Sequence, residues 1–225
     1  MTLAHTLNIY IHVGAGIIAM LMGIWIQAKE KGTPAHRKSG RIFVGFTLVV
    51  CASAVVGNSV FSFMPLFAVL TVLVLYQLLS GWHVIYTKAA GPNRVDALLC
   101  VTAAAWTAAL VPLVLGNTSG KSAPVVIYAT LGAVSALIAY DVLRWLFPRR
   151  WHTSLWRYEH IYKIVASMFA MLSAAIGNLV PHGQPWSQLA PSVLGMATIG
   201  WFFWKESRRA QKALPSAQLP LQSPA

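Results

Sequence analysis

Residues 9–41 read IYIHVGAGIIAMLMGIWIQAKEKGTPAHRKSGR, an uninterrupted apolar run followed by a short basic segment. A helix needs about 20 apolar residues to cross the hydrocarbon core of a bilayer, and this run is long enough. The same alternation of apolar run and short polar break recurs along the chain. The sequence therefore predicts an all-α fold, a polytopic transmembrane helix bundle.

The composition supports a membrane protein and argues against a nucleic-acid-binding protein. The chain is 57% hydrophobic and only 10% charged, whereas a soluble domain carries about 25% charged residues. A formal net charge of +12 is also typical of nucleic-acid binders, but here the bases fall in breaks between apolar runs and not in a stripe on a soluble fold. We therefore expect no nucleic-acid partner. The first run lacks a basic segment before it and a cleavage site after it, so we expect it to stay in the protein.

Apolar length and turn residues predict about seven transmembrane helices. Their predicted ranges are 9–28, 40–60, 64–86, 95–116, 123–146, 158–180 and 187–204. Residues 1–204 then form one transmembrane domain. Residues 205–225 are polar and contain proline, which predicts a disordered cytoplasmic tail that is attracted to anionic lipid.

The basic residues predict the orientation of the bundle. With seven spans, sixteen of the seventeen Lys and Arg residues fall on one side and only Lys121 falls on the other. The sixteen are Lys29, Lys31, Arg37, Lys38, Arg41, Lys88, Arg94, Arg144, Arg149, Arg150, Arg157, Lys163, Lys205, Arg208, Arg209 and Lys212. By the positive-inside rule the N-terminus is outside and the C-terminus is cytoplasmic, with the protein in a bacterial inner membrane.

Small residues predict where helices pack closely. Ala15, Ala19 and Gly23 are spaced four apart on the first helix, so they lie on one face and allow a neighbouring helix to approach. We expect this face near the centre of the bundle.

The acidic residues favour structural ion pairs. Asp141 lies three residues before Arg144, and Glu159 lies four before Lys163, spacings that place each pair on one helix face. We place every acid near the cytoplasmic border and none at mid-membrane. Because ion pumps usually carry an ionisable residue in the middle of a span, this placement disfavours active ion transport.

Three histidines are predicted at a similar depth on the cytoplasmic side: His36, His83 and His160. With a nearby acid they have the chemistry to hold a zinc ion with an open position for water, as in a metal hydrolase, and two of them on facing helices could ligate haem b. Each is alternatively an interfacial histidine that bonds a headgroup, a carbonyl or an acid. Topology also predicts that His36 or Arg37 lies within reach of Glu159 or His160.

On the outer side, His12 lies inside the first predicted span. It could pair with His182 as a second set of haem ligands, although His182 follows a proline in a loop. The alternative for His12 is a hydrogen bond to Asn178 or to a backbone carbonyl. Polar residues within a span are costly and so favour a functional role.

The segments I-H-V-G-A-G, K-G-T-P-A-H-R-K-S-G-R-I-F and E-H-I-Y-K-I-V-A-S resemble a bacterial family of predicted multi-pass membrane proteins that is classed as a domain of unknown function. The resemblance implies that the residues which matter are those matching its pattern: His12, His36, Arg37, Gly40, Glu159, His160 and Asn178. His83 is not part of that pattern, where Arg is common. The resemblance implies a membrane fold but no particular reaction.

Three functions follow as hypotheses. The leading one is a membrane-embedded binding protein of the redox type, which holds haem or quinone or serves as a subunit of an electron-transfer assembly. The second is a small-molecule transporter, and the third a zinc-dependent membrane hydrolase. The expected partners are membrane lipid, a quinone or other small molecule, and either further copies of this chain or another membrane subunit.

Overall fold

The computed structural model describes residues 2–116 and 123–213, and all of its regular structure is helical. Seven α-helices follow one another along the chain: α1 Leu3–Ala28, α2 Pro34–Val56, α3 Pro65–Thr87, α4 Arg94–Gly116, α5 Pro124–Leu143, α6 Arg149–Leu179 and α7 Trp186–Ala213. A π-helical turn, Gly57–Phe61, extends α2, and short 3₁₀ turns follow α3, α5 and α6. Lys121, the one base predicted on the outer side, lies outside the described residues.

The predicted all-α bundle is confirmed, and six of its helices are long and apolar enough to cross a membrane. The six are α1 to α6. The predicted seventh span does not reach the same hydropathy, because α7 begins with Trp, Ser and Gln and carries the polar sequence KESRR in its last turns.

α7 nevertheless lies antiparallel along α6 over most of its length. Gln188 packs against Gly177 near one end, and Ser192 Oγ is 2.9 Å from Ser173 Oγ farther along. Phe203 contacts the ring of Tyr158 at 5.0 Å between centroids near the other end. The two helices therefore run side by side over the same depth.

α3 is the central helix, since most of its residues are buried and it contacts α2, α4, α5 and α6. α1 packs on α2 and reaches α6. The predicted packing face of α1 is confirmed: Ala15, Ala19 and Gly23 are buried, and a methyl group added to Gly23 would meet Met168 of α6. Ala19 has no exposed surface.

Four helices extend past their predicted ranges, and α1 and α2 begin earlier than predicted, at Leu3 and Pro34. α6 begins at Arg149 and not near 158, and α7 continues to Ala213, so residues 205–213 of the predicted disordered tail are helical. The physical reason is that a helix does not end where its apolar run ends, since charged residues with good helix propensity continue it. Residues 214–225 lie outside the described part of the chain.

Candidate functional site

A group of charged side chains is buried between α3, α4, α5 and α6. The sequence has only five acidic residues, and three of them lie in this group. With their basic partners they form what we call the buried ionic network. Its charged members, each at most 7% exposed, are Asp96, Asp141, Arg144, Glu159 and Lys163. Charges are very rarely buried without a partner, and inside a membrane protein they favour a functional role.

One part of the network is centred on Asp141 of α5. Lys163 Nζ donates to Asp141 Oδ1 at 2.7 Å and to Oδ2 at 2.8 Å, and Tyr76 Oη donates to Oδ2 at 2.6 Å. Lys163 has no exposed surface and lies midway along α6, while Tyr76 lies midway along α3. Asp141 itself lies in the last turn of α5, so its position does not contradict the predicted placement of the acids near the cytoplasmic border.

The other part is centred on Arg144, in the turn directly after α5. Its Nη1 donates to Asp96 Oδ1 at 3.2 Å, and its Nε lies 2.9 Å from Glu159 Oε1. The second distance is that of an ion pair, although the Nε–H is not aligned for a hydrogen bond. Tyr140 Oη donates to the same Glu159 oxygen at 2.7 Å. One guanidinium thus joins two carboxylates from different helices.

Asp96 lies in the first turn of α4, at the polar end of the network. Its Oδ2 accepts the backbone N–H of Asn93 at 2.9 Å and lies 3.6 Å from His83 Nε2. His83 also bonds Asn93 Oδ1 at 3.1 Å. A line of polar contacts therefore runs from His83 through Asp96 and Arg144 to Glu159.

The charges in this network do not balance. With every acid ionised and His83 neutral, three carboxylates face one guanidinium and one ammonium, which leaves one negative charge in excess. Asp141 is matched by Lys163, so the excess negative charge lies where Asp96 and Glu159 share the single guanidinium of Arg144.

A groove of about 370 Å³ opens beside Glu159, between α5 and α7 with α6 as its floor. It is lined by Ala136, Leu137, Tyr140, Leu155, Tyr158, Glu159, Tyr162 and Phe203. Four of these are aromatic, and three carry hydroxyl groups. A second cavity of about 380 Å³ shares Leu155 and Tyr158 with the groove and adds Arg150 and Trp151. The combination of aromatic walls and a few polar groups is typical of small-molecule sites.

Three polar atoms at this point of the network are buried without a hydrogen-bond partner: Glu159 Oε2, Arg144 Nη2 and Arg144 Nε. Most buried polar atoms are satisfied, so such exceptions need a reason. Glu159 is therefore both a lining residue of the groove and a member of the network with an unsatisfied carboxylate oxygen.

The zinc site predicted from His36, His83 and His160 is not formed. Nowhere in the described ranges do three or more His, Cys, Asp or Glu side chains come together in a way that could hold a metal ion. His83 contacts Asn93 and Asp96, whereas His160 Nδ1 lies 2.8 Å from the carbonyl oxygen of Gly81. The Nδ1 atom of His36 is buried without a partner.

The remaining predicted residues are not part of the network. Arg37, Asn178 and His182 are exposed. His12 Nδ1 lies 2.9 Å from Ser53 Oγ of α2, and the backbone of Val50 also lies beside the ring, so the predicted backbone partner is present and Asn178 is not the partner. The predicted contact of His36 or Arg37 with Glu159 or His160 is not seen as a direct hydrogen bond among the described residues: Glu159 contacts Arg144 and Tyr140, and His160 contacts the Gly81 carbonyl oxygen.

The predicted ion pairs are wrong in their partners, although all four residues were named. Asp141 pairs with Lys163, and Glu159 pairs with Arg144, so both pairs join α6 to the end of α5. The prediction missed Tyr76 and Tyr140, and it placed Asp96 only at the border. One signal in the sequence could have indicated the network: the chain is apolar and has only five acidic residues, so several of them could be expected to pair inside the bundle.

No family model, no curated protein and no solved structure matches the chain. The resemblance to a bacterial membrane family stays a prediction, and the function is argued from the site.

Proposed function

We propose that this chain is an integral membrane protein of the redox type that binds a quinone in the groove beside Glu159. The observation that carries the proposal is the position of Glu159: it lines an aromatic groove and is at the same time held in a buried ionic network. A quinone head is a flat ring with two oxygens that accept hydrogen bonds, and its tail is apolar. Stacking on tyrosine and phenylalanine rings, together with a hydrogen bond from a tyrosine hydroxyl group, suits both features.

The network links the groove to Asp96 through charge and not through a chain of proton carriers. Reduction of a quinone to a quinol takes up two electrons and two protons. Arg144 keeps its own proton, so it couples Glu159 to Asp96 through charge and does not pass a proton along. The electrons would come from a redox partner subunit, which makes the chain one part of an electron-transfer assembly.

Quinone affinity in variants with a filled groove tests the proposal. Ala136 is exposed and lines the groove, so Ala136→Trp should fill it and weaken binding of a short-chain ubiquinone or menaquinone by at least about tenfold. Binding is measured by quenching of tryptophan fluorescence in detergent. Ala105→Trp, at an exposed alanine of α4, is the matched control and should bind as the wild type does. Unsaturable binding, or equal loss in both variants, would contradict the proposal.

The proposal includes a topology with seven spans. α7 lies along α6 over the same depth, which supports a seventh crossing despite its lower hydropathy. Arg144 and Lys163 are buried in the network and no longer count as loop charges, but the other bases still favour a cytoplasmic tail in the bacterial inner membrane. A reporter fused after Ala225 should be cytoplasmic and one inserted at Gly120 external. An external tail would refute this orientation.

A transporter is the second candidate, and one observation favours it. The Lys163–Asp141 pair is buried midway along α6, where proton-coupled transporters place ionisable groups. In this case Lys163→Met would abolish a proton flux in vesicles without a quinone present. Quinone binding that is lost in Ala136→Trp, with no such flux in the wild type, would favour the redox function instead.

A further inference from the structure

Lys31, in the loop between α1 and α2, is held at the end of α1. Its Nζ donates to the carbonyl oxygens of Ile26 at 2.7 Å and Gln27 at 2.9 Å. An ammonium group has three donors, so one remains for another acceptor. The same Nζ lies 4.7 Å from the centre of the Phe202 ring of α7. These contacts fix the charge of Lys31 against the surface of α7.

Two further cations lie on that surface. Lys205 and Arg209 follow Phe202 by three and seven residues, so all three side chains share one face of α7. Burial, together with the positive charges of Lys205 and Arg209, lowers the pKa of Lys31 to about 8. Three cations from two segments are thus gathered at one end of the bundle.

No acid neutralises these cations within the part of the chain that the structure describes. Asp96, Asp141 and Glu159 are committed to the buried ionic network. Glu206 lies beside Lys205 in sequence, but its Oε1 accepts Arg157 Nη1 at 2.9 Å. Glu30 is exposed and forms no ion pair. The group therefore keeps a local excess of positive charge.

We infer that Lys31, Lys205 and Arg209 form a site for a phosphate group. The first two present compact ammonium donors and the third a planar fork of donors, a combination that recognises phosphate oxygens. Phe202 supplies an apolar surface beside the charges, which suits a phosphate carried on a lipid. The phosphate can belong to an anionic phospholipid of the membrane or to a free phosphate ion. This inference does not depend on the quinone groove.

Binding of a short-chain phosphatidylglycerol to the purified protein in neutral detergent tests the site. Native mass spectrometry gives the affinity, and dioctanoyl phosphatidylcholine is the lipid control. Arg209→Gln should weaken phosphatidylglycerol binding by about tenfold, the effect of losing one charge-assisted hydrogen bond, and Lys31→Gln should do the same. Arg208→Gln is the matched control, because it removes the same charge from the adjacent residue, whose guanidinium lies over the Trp204 ring. This variant should bind phosphatidylglycerol as the wild type does.

Inorganic phosphate distinguishes the two sources. If millimolar phosphate displaces the lipid from the wild type but not from Arg209→Gln, the site also takes the free ion; if it does not, the lipid is the ligand. Either result supports the site. Equal weakening by Arg208→Gln and Arg209→Gln would show diffuse attraction only, and equal affinity for phosphatidylcholine would show no charge recognition. Both of these would overturn the inference. Arg209 is exposed, so its variant is expected to keep the fold.

Discussion

Lys163 of α6 forms a bidentate ion pair with Asp141 of α5, 2.7 and 2.8 Å from its two oxygens, and not with Glu159 in its own helix. Four residues separate Glu159 from Lys163, close enough for a pair along one helix. The structure uses both residues to join α6 to α5 instead. The charged groups therefore act between helices.

Removing one partner of this pair should be strongly destabilising. Lys163→Met leaves Asp141 buried with only Tyr76 as a partner, which should lower the free energy of unfolding by about 3–5 kcal/mol. Denaturant unfolding in detergent measures it. The combined Lys163→Met and Asp141→Leu variant should regain much of the loss, because an apolar pair replaces the unpaired charge. Arg157→Gln breaks an ion pair whose arginine is 51% exposed and should cost about 0–1 kcal/mol. Equal losses in the two single variants would contradict this account of the pair.

Arg144 should be the least replaceable residue of the network, since it holds both Asp96 and Glu159. Arg144→Met is expected to destabilise the bundle by at least about 3–5 kcal/mol, as measured by unfolding in detergent. Glu159→Gln in the same chain should restore part of that loss by removing one unpaired carboxylate. Arg149→Met, at an exposed arginine a few residues away, serves as the control. If the two arginine variants unfold alike, Arg144 does not hold the network together.

The sequence predicted the helices well and their partners poorly. Each apolar run became a helix, and the small-residue face of Ala15, Ala19 and Gly23 is buried as expected, because hydropathy and residue size act locally. The network was not predicted, since Asp141 and Lys163 meet only once α5 and α6 are docked. Spacing along the chain allowed Asp141 to pair with Arg144 and Glu159 to pair with Lys163, each within one segment. The rotation of neighbouring helices decided between these pairings, and no local pattern encodes it.

The packing face of α1 gives a separate stability test. Ala19 has no exposed surface, so Ala19→Leu should overpack the contact with its neighbouring helices and lower the free energy of unfolding by about 1–3 kcal/mol. Ala4→Leu, at an exposed position of the same helix, should change it little. Melting temperatures in detergent compare the two. An unchanged melting temperature for Ala19→Leu would mean that the contact is loose.

Lys31 should make stability depend on pH in alkaline solution. Its pKa in the folded protein is about 8, below the ordinary value of 10.5, because of burial and the charges of Lys205 and Arg209. Between these two values the unfolded chain binds the proton that the folded chain has released, so stability from this group rises with pH. The melting temperature of the wild type should therefore rise relative to that of Lys31→Gln as the pH is raised from 8 to 10.5. Lys212→Gln is the control, and its melting temperature should differ from that of the wild type by the same amount at every pH. A pH-independent difference for Lys31→Gln as well would refute the effect.

Photolabelling with an azido-quinone tests the central claim most directly. The claim is that the ring binds beside Glu159, so adducts mapped by mass spectrometry should fall within residues 136–140 and 155–162, which contain seven of the eight residues that line the groove, or on Phe203, the eighth. Excess unlabelled quinone should suppress these adducts, and Ala136→Trp should remove them while Ala105→Trp retains them. Labelling spread over the exposed apolar residues of α1, unaffected by excess quinone, would contradict the claim.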